Sequence, residues 1–182
     1  YKSFPNLINQ IYEEFQPTSI SINLFRYHHK NAKKISPDII KGYESAMNEY
    51  EKMRNKFKYK FIWNAVIKAK EKKQKDLILK VAKKDEFVTP CTAGNLSYVG
   101  MEDGSIKPCE ILSNKMGNIY KQNDIKEIFR SKASKELRIH IVKSKCKCTY
   151  ECAMSTNTLF NGDQQFGLIK QVFKDILPQK TI

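Results

Sequence analysis

The chain has 182 residues, of which 41% are hydrophobic and 11% are aromatic, and its formal net charge is +14. This apolar content is enough to form a core, which excludes a disordered chain. No apolar run of about 18 or more residues and no basic-then-apolar leader is present, so the sequence predicts neither a membrane span nor a secretory signal. We therefore expect a cytoplasmic protein, and because the chain begins at Tyr1 rather than Met, a fragment of a longer one.

The positive charge comes mainly from lysines spread over the whole chain, with local runs at residues 68–75 and 80–84. Clustered Lys and Arg often bind nucleic acid because they displace counterions from phosphates. The first run contains Glu71 and is followed by Asp76, as on an exposed helix face, and no stacking aromatics are interleaved with the lysines. The distribution therefore favours solvated helix faces over a nucleic-acid-binding patch.

The first predicted elements are a helix and a strand. Residues 3–16 place apolar side chains at the i, i+3, i+4 and i+7 positions of an amphipathic helix, which Pro17 ends. From Thr18 to Tyr27, isoleucine and leucine alternate with serine and asparagine, which is the two-residue period of a strand. A helix, a short turn and a strand together indicate an α/β unit.

Two longer helices are predicted next. Ser36-Pro37-Asp38 supplies an N-cap, a first-turn proline and a first-turn acid, so a helix should begin there and reach about Lys56. A second helical pattern covers roughly residues 61–84, and Trp63 within it is expected in the core. His28 and His29 precede these helices in a polar loop. At this place the sequence favours their being ordinary loop residues over their being ligands or proton carriers.

The pattern changes after residue 85. Asp103-Gly104 stands between the strand-like runs 96–101 and 105–109, and this dipeptide between two short runs is a strong hairpin signal. Asp124 and Ser134 are expected to cap two helices. A turn is predicted at residues 116–118, and helices are predicted over about 124–131, 134–143 and 157–177.

The five cysteines all lie in this second half, at Cys91, Cys109, Cys146, Cys148 and Cys152. A cytoplasmic chain seldom keeps disulfides, and five is an odd number, so a disulfide framework is not favoured. Lysines flank Cys146 and Cys148, and a neighbouring positive charge lowers the pKa of a thiol and favours the thiolate that binds metals. The pattern therefore favours a soft-metal site over disulfides or inert buried thiols.

The identity of the metal is a separate question, because four thiolates suit both zinc and an iron–sulfur cluster. Structural zinc sites usually use cysteines two to four residues apart. Here Cys91 and Cys109 lie eighteen positions apart around the hairpin, and the other three follow a C-x-C-x3-C pattern. This spread suits a larger cage, and zinc stays open as the alternative.

The spacing of these residues resembles the SPASM or twitch domain, which lies C-terminal to the catalytic part of radical S-adenosylmethionine enzymes. Cys91 is followed by a G-x4-C hairpin from Gly104 to Cys109 and then by the tight cysteine group, and the strings PCTAG, EDGSIKPCE, MGNI and CTYEC are also similar. The resemblance covers residues 89–161, roughly 40% of the chain. It implies an auxiliary [4Fe–4S] cluster held by four of the five cysteines, with one of Cys146 and Cys148 spare.

The upstream residues resemble the last part of the partial (β/α)6 barrel of the same enzymes. The implied fold class is α+β, with the C-terminal part of a truncated α/β barrel at 1–85, the hairpin-and-helix cluster domain at 86–161 and a C-terminal helix at 162–182. Arg26, at the end of the predicted strand, resembles positions that face S-adenosylmethionine, whose carboxylate an arginine can hold bidentately.

One departure from the family pattern bears on activity. The C-x3-C-x2-C motif, which binds the cluster that cleaves S-adenosylmethionine, is missing, since Ser155 stands where Cys148-x3-Cys152 would need a further cysteine. The chain alone is therefore expected to be inactive, and S-adenosylmethionine and a second [4Fe–4S] cluster would bind only in the full-length parent. The resemblance implies the C-terminal part of a radical S-adenosylmethionine oxidoreductase or maturase. The alternative is a zinc-stabilised binding module, with nucleic acid as its partner.

The resemblance also implies partners. The missing N-terminal part of the same chain is the first, and a peptide or small-molecule substrate is the second. Without its neighbour, the strand at 18–27 would present an unpaired edge, so self-association of the fragment is expected. A membrane partner is not expected.

Overall fold

The computed structural model describes residues 3–17, 19–24, 35–57, 61–122 and 124–176. In these residues the protein is a helix-rich α+β structure, which confirms the predicted class. None of its described helices combines the length and the apolar content needed to cross a bilayer. The elements are α1 (Phe4–Phe15), α2 (Pro37–Met53), a 3-10 turn (Arg54–Lys56), α3 (Phe61–Lys84), β1 (Val99–Gly100), β2 (Ser105–Lys107), β3 (Gly117–Asn118), α4 (Ile125–Arg130), α5 (Lys132–Lys143), α6 (Glu151–Phe160) and α7 (Gly162–Ile176).

The helices of the first half begin and end close to where the sequence predicts. Ser36 caps α2 through a hydrogen bond from the Ile39 backbone N–H to its hydroxyl, and α3 covers the predicted range. The prediction that Trp63 lies in the core is wrong, because its side chain is 63% exposed. Small residues such as Ala65 and Ala69 occupy the buried face of α3 at this end.

The predicted strand at 18–27 is described only at residues 19–24. These residues form no helix or strand and pair with no strand in the described part of the chain. Ile20 and Ile22 are half-buried against the core and Leu24 is fully buried, whereas the residues between them are exposed. The predicted alternation of buried and exposed side chains is therefore present. Among the described residues, however, no strand lies beside this segment to form a ladder of hydrogen bonds with it. Arg26, His28 and His29 lie outside the described residues.

A first core joins the upstream helices to the C-terminal half. α1 packs on α2, α2 packs on α3, and α3 packs on both α6 and α7. Met154 of α6 belongs to this core, although it lies in the second half of the sequence. The buried members are Ile8, Leu24, Ile40, Tyr43, Ala46, Met47, Tyr50, Met53, Phe57, Leu77, Ile78, Leu79 and Met154.

The hairpin predicted at Asp103-Gly104 is confirmed. β1, β2 and β3 form an antiparallel sheet in that order. Asp103 accepts hydrogen bonds from the backbone N–H and the hydroxyl of Ser105 and so closes the turn. The turn predicted at 116–118 is wrong, because Gly117 and Asn118 form β3. Glycine fits at position 117 because it has no Cβ atom. A Cβ atom there would come within 2.9 Å of Ile128, which packs beneath the sheet.

A second core lies between the sheet and the helices α4 and α5. Its buried members include Cys91, and Cys109 and Cys146 pack against it. Asp124 caps α4 as predicted. α5 begins earlier than predicted, with Ser131 as its cap, because the buried Ser134 hydroxyl instead donates to the backbone carbonyls of Met116 and Ile128.

The single helix predicted at 157–177 is also wrong, because two helices meet at Asn161. The backbone of Asn161 leaves the helical conformation, and its side chain donates to the backbone carbonyl of Pro90 and the hydroxyl of Thr89. These contacts attach the junction of α6 and α7 to the loop that carries Cys91.

Gly104 is expected to be sensitive to substitution, because it has a φ of +76° and a Cβ atom there would lie 2.3 Å from the Tyr120 ring. Gly104→Ala should lower the free energy of unfolding by at least about 1–2 kcal/mol, the cost of a left-handed alanine, with the ring clash in addition. Urea denaturation measures this change. Tyr120 is 75% exposed, so Tyr120→Ala alone should cost little and should rescue part of the loss in the double variant. If Gly104→Ala lowers the free energy of unfolding equally in the presence and in the absence of the Tyr120 ring, the clash with the ring is contradicted.

Candidate metal centre

Four of the five cysteines line one small cavity. Cys91 lies in the loop after α3, Cys109 follows β2, and Cys146 and Cys148 lie in the loop between α5 and α6. Three separate segments therefore bring their thiols to one place. The rest of the wall is mainly apolar and consists of Ala93, Ile111, Leu112, Lys147, Tyr150 and Ala153.

The end of α5 turns Cys146 toward this cavity. The backbone N–H of Cys146 donates to Ile141 and that of Lys145 donates to Val142, which is the Schellman pattern of helix termination. This pattern needs a left-handed residue, and Lys145, with a φ of 49°, takes the position that glycine usually occupies. The chain reverses there, so Cys146 packs against the second core instead of continuing along the helix axis.

The Cys91 sulfur receives several hydrogen bonds. The thiol of Cys146 donates to it, and the backbone N–H of Ala93 and the side chain of Asn157 interact with it as well. The hydrogen bond from Cys146 is the main cause that lowers the pKa of Cys91 to about 6, against an opposing effect of burial. This lowered pKa favours the thiolate of Cys91, the form that binds metals. The pKa of Cys146 is raised, because its proton is held by Cys91 and its thiol is buried among other sulfurs.

Asn157 is a site residue to which sequence reasoning gave no role. It is 2% exposed, and its Oδ1 accepts hydrogen bonds from the backbone N–H of Thr92 at 2.9 Å and from the Thr92 hydroxyl at 2.7 Å. One side chain on α6 thus fixes the loop that carries Cys91. The helix 151–160 was not expected to begin so close to the cysteines, and without that helix the side chain of Asn157 had no predicted direction.

Cys152 is placed differently from the other cysteines. It lies in the first turn of α6, is exposed and is not part of the cavity wall. The sequence suggested Cys152 as a ligand and one of Cys146 and Cys148 as spare, whereas the structure brings both members of that pair to the cavity. Which four of the five cysteines are the ligands stays a prediction. Lys147, beside these thiols, pairs with the Asp85 carboxylate at 2.9 Å.

The donor set fits a soft metal, but the site is narrow. Within the described ranges, no three His, Cys, Asp or Glu side chains converge as a ready-made metal site. The cavity has a volume of about 40 Å³, close to the ~30 Å³ that one water molecule occupies in the liquid. The wall of thiols would therefore have to widen to take a multi-atom cluster. Four cysteine sulfurs are a suitable ligand set for a [4Fe–4S] cluster or for zinc.

A buried glutamate connects this site to the upstream residues. Glu151 Oε1 accepts a hydrogen bond from the backbone N–H of Leu24 at 2.9 Å, and its backbone carbonyl accepts one from the Gln74 side chain at 3.1 Å. Tyr43 also interacts with the Glu151 carboxylate. Burial, together with this negative charge, raises the pKa of Tyr43 above its ordinary value. The first turn of α6 therefore contacts Leu24, α2 and α3.

Four thiols line one cavity inside a small α+β domain, and this donor set is suited to a metal bound by cysteines. Residues 81–153 match the family model of SPASM, an iron–sulfur cluster-binding domain. The chain therefore carries a SPASM domain, and the resemblance found in the sequence is confirmed. The matched residues run from α3 into α6 and include all five cysteines. No curated protein and no solved structure matches the chain.

Asn157→Ala should lower the free energy of unfolding by about 1–3 kcal/mol, because it leaves the buried N–H and hydroxyl of Thr92 without their acceptor. It should also raise the pKa of Cys91, since one of the hydrogen bonds that stabilise the thiolate is lost. Denaturant unfolding measures the first effect, and the pH dependence of alkylation at Cys91 measures the second. Asn114→Ala is the matched control, because Asn114 is exposed. Equal behaviour of the two variants would show that Asn157 does not hold the loop.

Proposed function

We propose that the chain is the C-terminal part of a radical S-adenosylmethionine oxidoreductase or maturase. In this proposal Cys91, Cys109, Cys146 and Cys148 bind an auxiliary [4Fe–4S] cluster. The observation that supports it most strongly is the meeting of these four thiols, from three segments, at one cavity within the SPASM match. Residues 1–85 would then be the end of the parent's α/β barrel, 86–161 the cluster domain and 162–182 its C-terminal helix.

The residues of this chain have distinct roles in the proposal. When bound, an iron–sulfur cluster supplies one-electron transfer, and the parent would use it to conduct electrons or to position substrate. The four thiolates anchor the cluster. The Ala93 N–H and the Asn157 side chain direct hydrogen bonds at the Cys91 sulfur, and such bonds are one of the ways a protein sets a cluster's reduction potential. Ile111 and Leu112 contribute apolar surface to the wall beside the sulfurs.

The catalytic step belongs to the rest of the parent in this proposal. The chain lacks the C-x3-C-x2-C motif, so by itself it should not cleave S-adenosylmethionine. S-adenosylmethionine, a second [4Fe–4S] cluster and a peptide or small-molecule substrate would bind in the full-length protein. Arg26 is proposed to face S-adenosylmethionine there, and it lies outside the described residues.

A zinc-stabilised module is the second candidate, and one observation favours it. A single ion would require less widening of the 40 Å³ cavity than a cluster of eight atoms would. Zinc also accepts four cysteine sulfurs in a closed tetrahedral site. Iron and acid-labile sulfide, measured against zinc in anaerobically purified protein, separate the two candidates.

Replacing any of the four cavity cysteines with alanine should remove most of the bound iron and sulfide. Changes to residues around a metal's ligands already cost about 10–100-fold in affinity, and the loss of a thiolate removes a charged anchor as well. Iron and acid-labile sulfide per chain are measured for the single Cys→Ala variants at 91, 109, 146 and 148. Cys152→Ala is the matched control and should keep its iron, because Cys152 is exposed outside the cavity wall.

Two outcomes of this series would change the assignment. Undiminished iron in Cys91→Ala or Cys109→Ala would contradict the cavity as the cluster site. Loss of iron in Cys152→Ala, with retention in Cys146→Ala or Cys148→Ala, would favour the ligand set that the sequence alone suggested.

Removal of the metal should also destabilise residues 86–161. The strands of this domain are only two or three residues long, and small domains with modest cores commonly depend on a bound metal. Hydrogen exchange after chelation should therefore show lost protection in the sheet and in α5, while α2 and α3 keep theirs. Unchanged exchange in the sheet would show that the domain is stable without metal.

A further inference from the structure

A lysine belongs to the wall of the thiol cavity. Lys147 lies between Cys146 and Cys148 in the chain, and among the described residues of this wall it is the one that carries a formal charge apart from the thiols. Except for Tyr150, the other wall residues are apolar. Lys147 therefore adds a positive charge beside the sulfurs without being a ligand.

The ammonium of Lys147 is held at the end of α3. It pairs with the Asp85 carboxylate at 2.9 Å and also donates to the backbone carbonyl of Asp85. Asp85 has a left-handed φ of 53° and follows the last residue of α3, where its N–H donates to the carbonyl of Val81. Lysine side chains often bind carbonyls at the end of a helix. The place of this charge is therefore fixed by a residue 62 positions away in the chain.

This anchored charge is close enough to act on a group that the thiols bind. Consecutive Cα atoms are about 3.8 Å apart, and a lysine side chain reaches roughly 6 Å beyond its own Cα atom. The ammonium therefore lies within about 10 Å of the Cα atoms of Cys146 and Cys148. At about 10 Å and an effective dielectric constant of about 20, one unit charge changes an equilibrium constant by roughly tenfold.

We propose that Lys147 raises the reduction potential of the cluster and that Asp85 partly offsets this effect. Reduction adds one electron, and therefore one negative charge, to the cluster. A fixed cation nearby favours the reduced state, and a fixed anion disfavours it. This inference rests on the proposed function for the cluster itself. It goes further by assigning opposite effects to two residues that are not ligands.

The same contacts would also suit a structural clamp, which only holds the loop of Cys146 and Cys148 to α3. The side chains of Lys147 and Asp85 are 34% and 72% exposed, and exposed ion pairs contribute little to folding stability. The two roles give different results on substitution. Loss of either member of a clamp loosens the loop in the same way, whereas loss of a cation and loss of an anion move the potential in opposite directions.

The test is a redox titration of the 182-residue chain, reconstituted anaerobically with iron and sulfide and followed by electron paramagnetic resonance of the reduced cluster. In Lys147→Met, the ratio of reduced to oxidised cluster at a fixed potential should fall about tenfold, which is a shift of about 59 mV for a one-electron couple. Asp85→Asn should raise this ratio, because the backbone carbonyl of residue 85 still holds the ammonium. The double variant should lie between the two single variants.

Two control variants separate the charge of Lys147 from other effects. Lys147→Arg keeps the positive charge, so its potential should stay close to that of the unsubstituted chain. Lys143→Met removes an equal charge from an exposed residue at the end of α5, outside the cavity wall. It should therefore shift the ratio much less than Lys147→Met does.

Three outcomes would overturn the inference. These are an unchanged potential in Lys147→Met, an equal shift in Lys143→Met, and shifts of Lys147→Met and Asp85→Asn in the same direction. If Lys147→Met holds no cluster, Asp85→Asn decides, and a ratio that does not rise in that variant would overturn the inference.

Iron and acid-labile sulfide in the unsubstituted chain distinguish a failure of this inference from a failure of the proposed function. A chain that holds no cluster would overturn the proposed function and, with it, this inference. A chain that holds a cluster whose potential does not respond to either charge would contradict this inference alone.

Discussion

The structure of the second half depends on one constraint, which is that thiols from three separate segments must meet at one cavity. Cys91 arrives on the loop after α3, Cys109 follows the hairpin, and Cys146 is turned inward by the left-handed residue at the end of α5. Cys91 belongs to the second core, and Cys109 and Cys146 pack against it. The short sheet, the α4–α5 pair and the hydrogen bonds of Asn157 are therefore best understood as the frame of a metal site.

α6 is the element that joins this frame to the rest of the chain. Within its first turn it contributes Ala153 to the thiol cavity, Met154 to the first core and Glu151 to the Leu24 backbone. A change at the cavity that moves α6 would thus reach Leu24 through direct contacts. In the proposed parent, this arrangement would fix the cluster domain relative to the barrel, where the substrate would bind.

The sequence predicted those parts of the fold that depend on local patterns. The periodicity of α1 and α3, the Ser36 cap and the Asp103-Gly104 hairpin are local signals, and all of them are confirmed. The errors have long-range causes. Gly117 joins the sheet because Ile128 packs beneath it, Ser134 is buried rather than capping, and the side chain of Asn161 binds a loop some seventy residues away. The cysteines were predicted to be ligands from their spacing, whereas the role of Asn157 and the position of Cys152 depend on where α6 begins.

The central claim is that cysteine sulfurs at this cavity hold an iron–sulfur cluster. X-ray absorption at the iron edge tests it most directly, with the 182-residue chain reconstituted anaerobically with iron and sulfide. The account predicts an iron environment of sulfur alone together with iron–iron scattering, both lost in the Cys91→Ala variant. Iron with nitrogen or oxygen neighbours and no iron–iron scattering, or a protein that takes up only zinc in a four-sulfur shell, would contradict it.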